Sequence, residues 1–499
     1  MRKQNSISIY SKIKAGLIAC FFFLAAPLLA AEPSWKFDPQ LQEAYNAVLN
    51  LETDQAYRAL ARIENTNPLH KLYVQSFCET LDVLISEDEQ KFEKIEISFK
   101  ERLKYLEELP QSAETLFLRA ELNLQRGFNF LNLGHELSSV WAIKSAYNLA
   151  EECLKKYPNF IPVRKTSGVI QVMIGTVPDK YEWFLSMLGM KGSVAVGQKQ
   201  LKELQASNSS LSTEATILFY TIKGLINQEH QEAVEGIMAS LQEQPHNRLV
   251  LFLGVNMLMK NSQSEEALQL IQTLDQQKQG LPMYYIEYLR GEILLQKGAY
   301  DMAIKSYRKF ITYYKSSNFK KDSYYKISLC YWLKGDSQRA QESFELAKKT
   351  GKAVAEPDRY ANAQLRENSF PNRKIYKVRL YTDGGYYKLA QQALLSISNS
   401  DLTTAKDKAE YFYRKARLAD KTWDYATAET YYNRTLEATG SNPWYFAPNA
   451  ALQLGYLAQQ KKEYENARKY FELALSYKKH EYKNSIDSKA KSALGQLNK

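Results

Sequence analysis

Seven alanines constrain this chain more than any other feature. Ala233, Ala267, Ala303, Ala340, Ala390, Ala428 and Ala467 are separated by 34, 36, 37, 50, 38 and 39 residues. The later ones close one phrase: a turn, usually an aromatic residue, two further positions, then the alanine. It reads Gly298-Ala299-Tyr300 to Ala303, Gly335-Asp336-Ser337 to Ala340, Gly385-Tyr386-Tyr387 to Ala390, Trp423-Asp424-Tyr425 to Ala428 and Lys462-Glu463-Tyr464 to Ala467, with weaker copies at Ala233 and Ala267. Glycine recurs twelve residues before the alanine, as Gly291 before Ala303 and Gly455 before Ala467. Glycine in mid-helix is unfavourable unless a second backbone must come close. The spacing therefore predicts pairs of antiparallel helices crossing at small residues, with Gly298 turning the chain between them. Such hairpins cannot bury both apolar faces alone, so they stack. No stretch alternates apolar and polar residues between turn signals in the manner of a strand.

Period and phrase together resemble the tetratricopeptide repeat. The resemblance implies an all-α fold, a helical-hairpin solenoid coiled into a right-handed superhelix with an inner groove. The frame extends upstream: Ala56 is followed by Leu60, Ile63 and Pro68, and Ala146 by Ala150, Cys153 and Pro158. The stretch from 70 to 125 is helical in pattern but lacks the alanine phrase. Residues 175–201, "GTVPDKYEWFLSMLGMKGSVAVGQKQL", interrupt the frame with Pro178, an apolar segment (Trp183, Phe184, Met187, Leu188) and three glycines. Together with residues 127–158 this segment resembles the tetratricopeptide repeat domain 39 and inclusion-body clearance family, with Leu188-Gly189-Met190-Lys191-Gly192 as the turn and Gly197 to Leu201 opening the next helix; Met190 stands where that family has an aromatic residue. Family members are helical-repeat proteins without established catalysis. The expected organisation is a signal peptide at 1–31, an N-terminal helical region at 32–206 with degenerate repeats and the 175–201 insert, and a repeat array at 207–499.

The first 31 residues carry Arg2, Lys3, Lys12 and Lys14, no acid, and an apolar run from Leu17 to Leu29 before Ala30 and Ala31. That is the pattern of a secretory signal, so the expected destination lies across the inner membrane, in the periplasm or at the outer membrane of a bacterial relative. The full chain has a formal charge of +11; without the signal the balance is +7. From Pro371 to Lys499 there are 22 Lys and Arg against 13 Asp and Glu, so the excess lies in the last third. A basic surface there is the alternative route to function, through contact with anionic lipid or glycan. Cys78, Cys153 and Cys330 are too scattered for a disulfide framework or a zinc site.

Enzyme chemistry finds no support. Gly192-Ser193-Val194-Ala195-Val196-Gly197-Gln198-Lys199 misses a phosphate loop because Gln198 separates the second glycine from the lysine. His70, His135, His230, His246 and His480 are too far apart in sequence for a metal motif, and His135 reads as a structural histidine on an apolar helix face. No cofactor, metal or nucleic acid is expected. A groove remains. Taking the small residue of each first helix as its eighth position, positions 2, 5, 9 and 12 face the concave side, which selects Tyr285, Tyr288, Tyr325, Trp332, Arg379, Tyr413, Arg417 and Tyr456. Aromatic rings and arginine anchor partners because they offer large area with a polar tip. The expected activity is thus a non-enzymatic scaffold for a protein or peptide partner, with Arg379 and Arg417 available to acidic side chains.

Overall fold

The computed structural model describes residues 35–177, 182–353 and 355–497. The expected signal segment lies outside them. Among the described residues every extended element is helical and there is no strand.

The N-terminal helices are α1 (Pro39–Leu49), α2 (Thr53–Arg62), α3 (Pro68–Ser86), α4 (Glu89–Glu108), α5 (Ala113–Asn132), α6 (Glu136–Lys156), α7 (Val163–Gly175), α8 (Glu182–Met187) and α9 (Val194–Gln205). Then come the hairpins α10 (Ser212–Leu225) with α11 (His230–Glu243), α12 (Arg248–Lys260) with α13 (Ser264–Gln276), α14 (Tyr285–Lys297) with α15 (Tyr300–Tyr313), and α16 (Lys320–Lys334) with α17 (Ser337–Lys349). A single helix, α18 (Glu356–Glu367), follows and packs on α16. Hairpins resume with α19 (Arg373–Asp383) and α20 (Tyr387–Leu395), α21 (Ala405–Lys421) and α22 (Tyr425–Thr439), and α23 (Phe446–Gln460) and α24 (Tyr464–Ser476), closed by α25 (Lys483–Leu497).

Local chemistry sets the ends. Asn67 and Asn372 cap α3 and α19 with their side-chain oxygens, Ser112 and Thr404 form capping boxes for α5 and α21, and Gly298 ends α14 at φ 83°, a left-handed conformation that Trp423 and Lys462 adopt at the matching turns of later hairpins. All seven phrase alanines are fully buried. A methyl group on Gly291 would stand 2.7 Å from the Tyr307 ring, and one on Gly455 2.4 Å from the Phe471 ring. Each glycine is thus the seat of an aromatic ring from its partner helix.

The core runs unbroken from Trp35 to Leu380, across residue 206, and a second apolar cluster spans Ala409 to Ala493. Helices α3, α4 and α5 hold 19, 20 and 20 residues, against 13 to 15 for the first helices α14, α16 and α23. They are not regular repeats: the sequence breaks at Glu87, which turns at φ 48°, and α3 packs chiefly on α5. The stack also folds back on itself. Leu281 N–H donates to Leu51 O at 2.8 Å, Tyr386 Oη to Glu265 at 2.8 Å, and α14 packs against α19. His135 departs from its expected place. It occupies the N-cap position of α6, half exposed, with Nε2 3.2 Å from Glu89, because the left-handed Gly134 ends the preceding helix one residue earlier.

The N-terminal part encloses a charge cluster. Lys165 Nζ, with its side chain 4% exposed, donates to Tyr73 Oη at 2.5 Å, Glu121 at 2.7 Å and Glu214 at 2.9 Å. Tyr45 and Tyr73 donate to the other oxygen of Glu214, and Thr166 to Glu121. Burial alone would discharge Lys165; the two carboxylates outweigh it and hold its pKa above the usual lysine value. Four helices, α3, α5, α7 and α10, are joined through this one ammonium group.

Candidate partner-binding cleft

Between α16, α18, α19, α21 and α23 lies a cleft of about 420 Å³. Its aromatic wall begins with Trp332. That ring stacks on Phe370 at 4.8 Å and 12°, carries the Arg373 guanidinium 4.2 Å from its centre, and donates from Nε1 to Pro371 O at 3.1 Å. Held by Phe370, by Arg373 and at its nitrogen, the Trp332 ring is fixed in place. Also in the lining, Tyr360 of α18 stacks on Tyr482 at 5.3 Å, and Tyr445 meets the edge of Tyr482 at 5.2 Å.

Arg379 projects among these tyrosines. Its Nη1 donates to Tyr360 Oη at 3.4 Å, its guanidinium lies 5.4 Å from the Tyr376 ring centre, and its nearest carboxylate, Asp383, is 3.6 Å from Nε. The lining acids are better matched. Glu367 pairs with Lys406 at 3.3 Å, Glu410 with Arg414 at 2.7 Å, and Asp407 caps Thr404. Arg414 also donates to Tyr445 Oη at 2.5 Å, fixing that ring. Glu481 enters from the loop before α25; burial raises its pKa above the usual glutamate value, against the pull of Lys406. Aromatic faces around an incompletely neutralised arginine suit a segment that presents an acidic side chain beside an apolar one.

Three of the residues selected from sequence, Tyr325, Trp332 and Arg379, line this cleft. Tyr413 lies beneath it, 5.8 Å from Tyr445 and 5.7 Å from Phe446. The other four are elsewhere. Tyr285 borders a separate apolar pocket with Leu81, Phe252 and Phe319; Arg417 bonds Gln453 at 3.2 Å and Asp420 at 3.3 Å; Tyr456 rests on Phe471 at 5.4 Å. Tyr288 donates to Asp322 at 2.7 Å, and burial pushes that acid's pKa up to about 6. Tyr288, Tyr325 and Tyr413 are all buried, so removing them would damage packing as well as any surface. The Tyr288 hydroxyl is bonded to Asp322 and that of Tyr413 accepts from Asn449, while the Tyr325 ring packs on Phe344.

Tyr360, Phe370, Tyr376, Lys406, Tyr445 and Glu481 also line the cleft and lie outside the position rule. A signal for one of them is present in the sequence. The 50-residue interval between Ala340 and Ala390 is longer than its neighbours, and the excess holds α18, which supplies Tyr360, Gln364 and Glu367. Among the described residues no group of three or more His, Cys, Asp or Glu side chains is placed to hold a metal ion, and no helix is long and apolar enough to cross a membrane.

No curated protein matches the sequence. Among solved structures, the P58(IPK) TPR domain is similar at 16% identity over 76% of this chain and 99% of that one, with a TM-score of 0.21. The human IFIT1 dimer with PPP-AAAA is similar at 13% identity over 92% of this chain and 94% of that one, with a TM-score of 0.31. The tetratricopeptide repeat family matches residues 288–316, 321–349 and 448–481, so the hairpins α14–α15, α16–α17 and α23–α24, two of which wall the cleft, are tetratricopeptide repeats.

Proposed function

We propose that this chain is a non-enzymatic protein-binding scaffold of a bacterial cell envelope, and that it holds an extended partner segment in the Arg379 cleft. The observation that carries the reading is Arg379 itself: a guanidinium framed by tyrosines, with no carboxylate closer than 3.6 Å. A partner carboxylate would complete its bonding, and the aromatic lining of the cleft would take a neighbouring apolar side chain. The repeat hairpins on either side support protein binding as the class of activity. The envelope part rests on residues 1–31, whose basic start and apolar run suit export across the inner membrane to the periplasm or the outer membrane. Kinship with the domain 39 repeat proteins belongs to the same reading and rests on the Leu188 to Gly192 turn, where Gly189 adopts φ 65°.

A photo-crosslinking residue placed at Tyr360 or Phe370, compared with one at the exposed Met302, tests this in the native envelope. Discrete adducts from the cleft positions and none from Met302 are expected. Equal labelling, or adducts from Met302 alone, would refute the assignment.

A further inference from the structure

The described surface carries a second feature that the cleft does not use. On α6, Leu137 and Trp141 are 78% and 62% exposed; on α8, Trp183 and Met187 are 67% and 66% exposed. Helical spacing places Leu137, Trp141 and Lys144 on one stripe of α6. Lys144 Nζ sits 5.3 Å from the Tyr147 ring centre and 4.0 Å from where a side chain on Gly189 would begin, so the end of α8 abuts that stripe. The other side of α8 is anchored: Leu185 and Leu188 pack on the core cluster that contains Ile170, Ile174 and Met190. This short helix is therefore pinned through Leu185, with Leu188 just beyond its end, and bare at Trp183 and Met187.

Charge distinguishes the occupant. From Glu182, the first residue of α8, to Lys202 the sequence holds Lys191, Lys199 and Lys202 against that one acid, and Glu136 is the one acid between Gly134 and Asn148. Across a pocket from Gly192 to Ala195 stand Lys491 of α25 and Lys483, the latter paired with Asp487. Bare tryptophan, leucine and methionine among lysines are what a shallow contact with an anionic bilayer requires: indole rings settle at the headgroup level, aliphatic tips enter the acyl boundary, and ammonium groups meet the phosphates.

From this juxtaposition we infer that the α6–α8 face is a docking surface for anionic membrane, independent of the Arg379 cleft. The test is co-flotation of the purified chain with phosphatidylglycerol-containing vesicles and with pure phosphatidylcholine vesicles, for the native protein, Trp141→Ser/Trp183→Ser and Lys191→Glu. All three substituted positions are on the surface, so circular dichroism should be unchanged. The native chain should float with the anionic vesicles, with at least roughly tenfold weaker partition for the tryptophan double variant and a smaller loss for Lys191→Glu. Failure to float, equal flotation with phosphatidylcholine, or flotation indifferent to the tryptophan changes would overturn the proposal. Sedimentation showing a dimer that the same substitutions dissolve would overturn it too, by making the face a self-contact.

Discussion

Lys165 and Arg379 are two answers to one problem, how a helical stack accommodates a cation among tyrosines. Around Lys165 three acceptors lie within 2.9 Å and the side chain is 4% exposed; around Arg379 the closest polar neighbours are at 3.4 and 3.6 Å and the side chain is 22% exposed. The first site is closed and satisfied, so its charge is structural. The second is open on one side and short of a partner, so its charge is available. A buried cation therefore signals binding only when its own fold leaves its bonding incomplete.

The comparison fails if the closed site proves dispensable. Lys165→Met leaves Glu121 and Glu214 buried without their ammonium group and should cost about 3–5 kcal/mol, seen as a large fall in the urea midpoint. Tyr325→Ala, which cuts away a buried cleft wall, should cost roughly 3–5 kcal/mol as well; the two losses should add, because the sites share no residue. Gly291→Ala drives a methyl group into the Tyr307 ring and should cost about 1–3 kcal/mol in the same assay, while leaving crosslinking at the cleft in place.

The smallest expected effect is on pH dependence. Glu481 has a raised pKa in the folded chain, so above the usual glutamate range the folded state holds a proton that the unfolded state has lost. Stability should decline as pH rises through that window, Asp322 acting in the same direction, and Glu481→Gln should make the decline shallower. Lys165 is charged throughout it, so Lys165→Met should lower stability without removing the slope. Urea midpoints measured across the weakly acidic range separate the two.

Much of this architecture is legible in the residues. The burial of all seven alanines and the seating of Tyr307 and Phe471 on Gly291 and Gly455 follow from small side chains at fixed intervals. The candidate site is only partly legible. Position counting gives a side chain's direction, as for Tyr325, Trp332 and Arg379, but not its depth, and so it also selected Tyr288 and Tyr413, which the next hairpins cover. Tyr360 and Glu367 escaped because α18 carries no alanine phrase and shows only as a long interval. Glu121, Lys165 and Glu214 meet from three distant helices, an encounter that no local pattern records.

The most direct test of the account is Arg379→Gln, with crosslink yield at Tyr360 and the urea midpoint measured on the same preparation. The account predicts loss of the partner adduct with a midpoint within about 1 kcal/mol of the native chain, as befits a weakly paired, part-exposed charge. An unchanged adduct, or a stability loss matching that of Lys165→Met, would show Arg379 to be structural and contradict it.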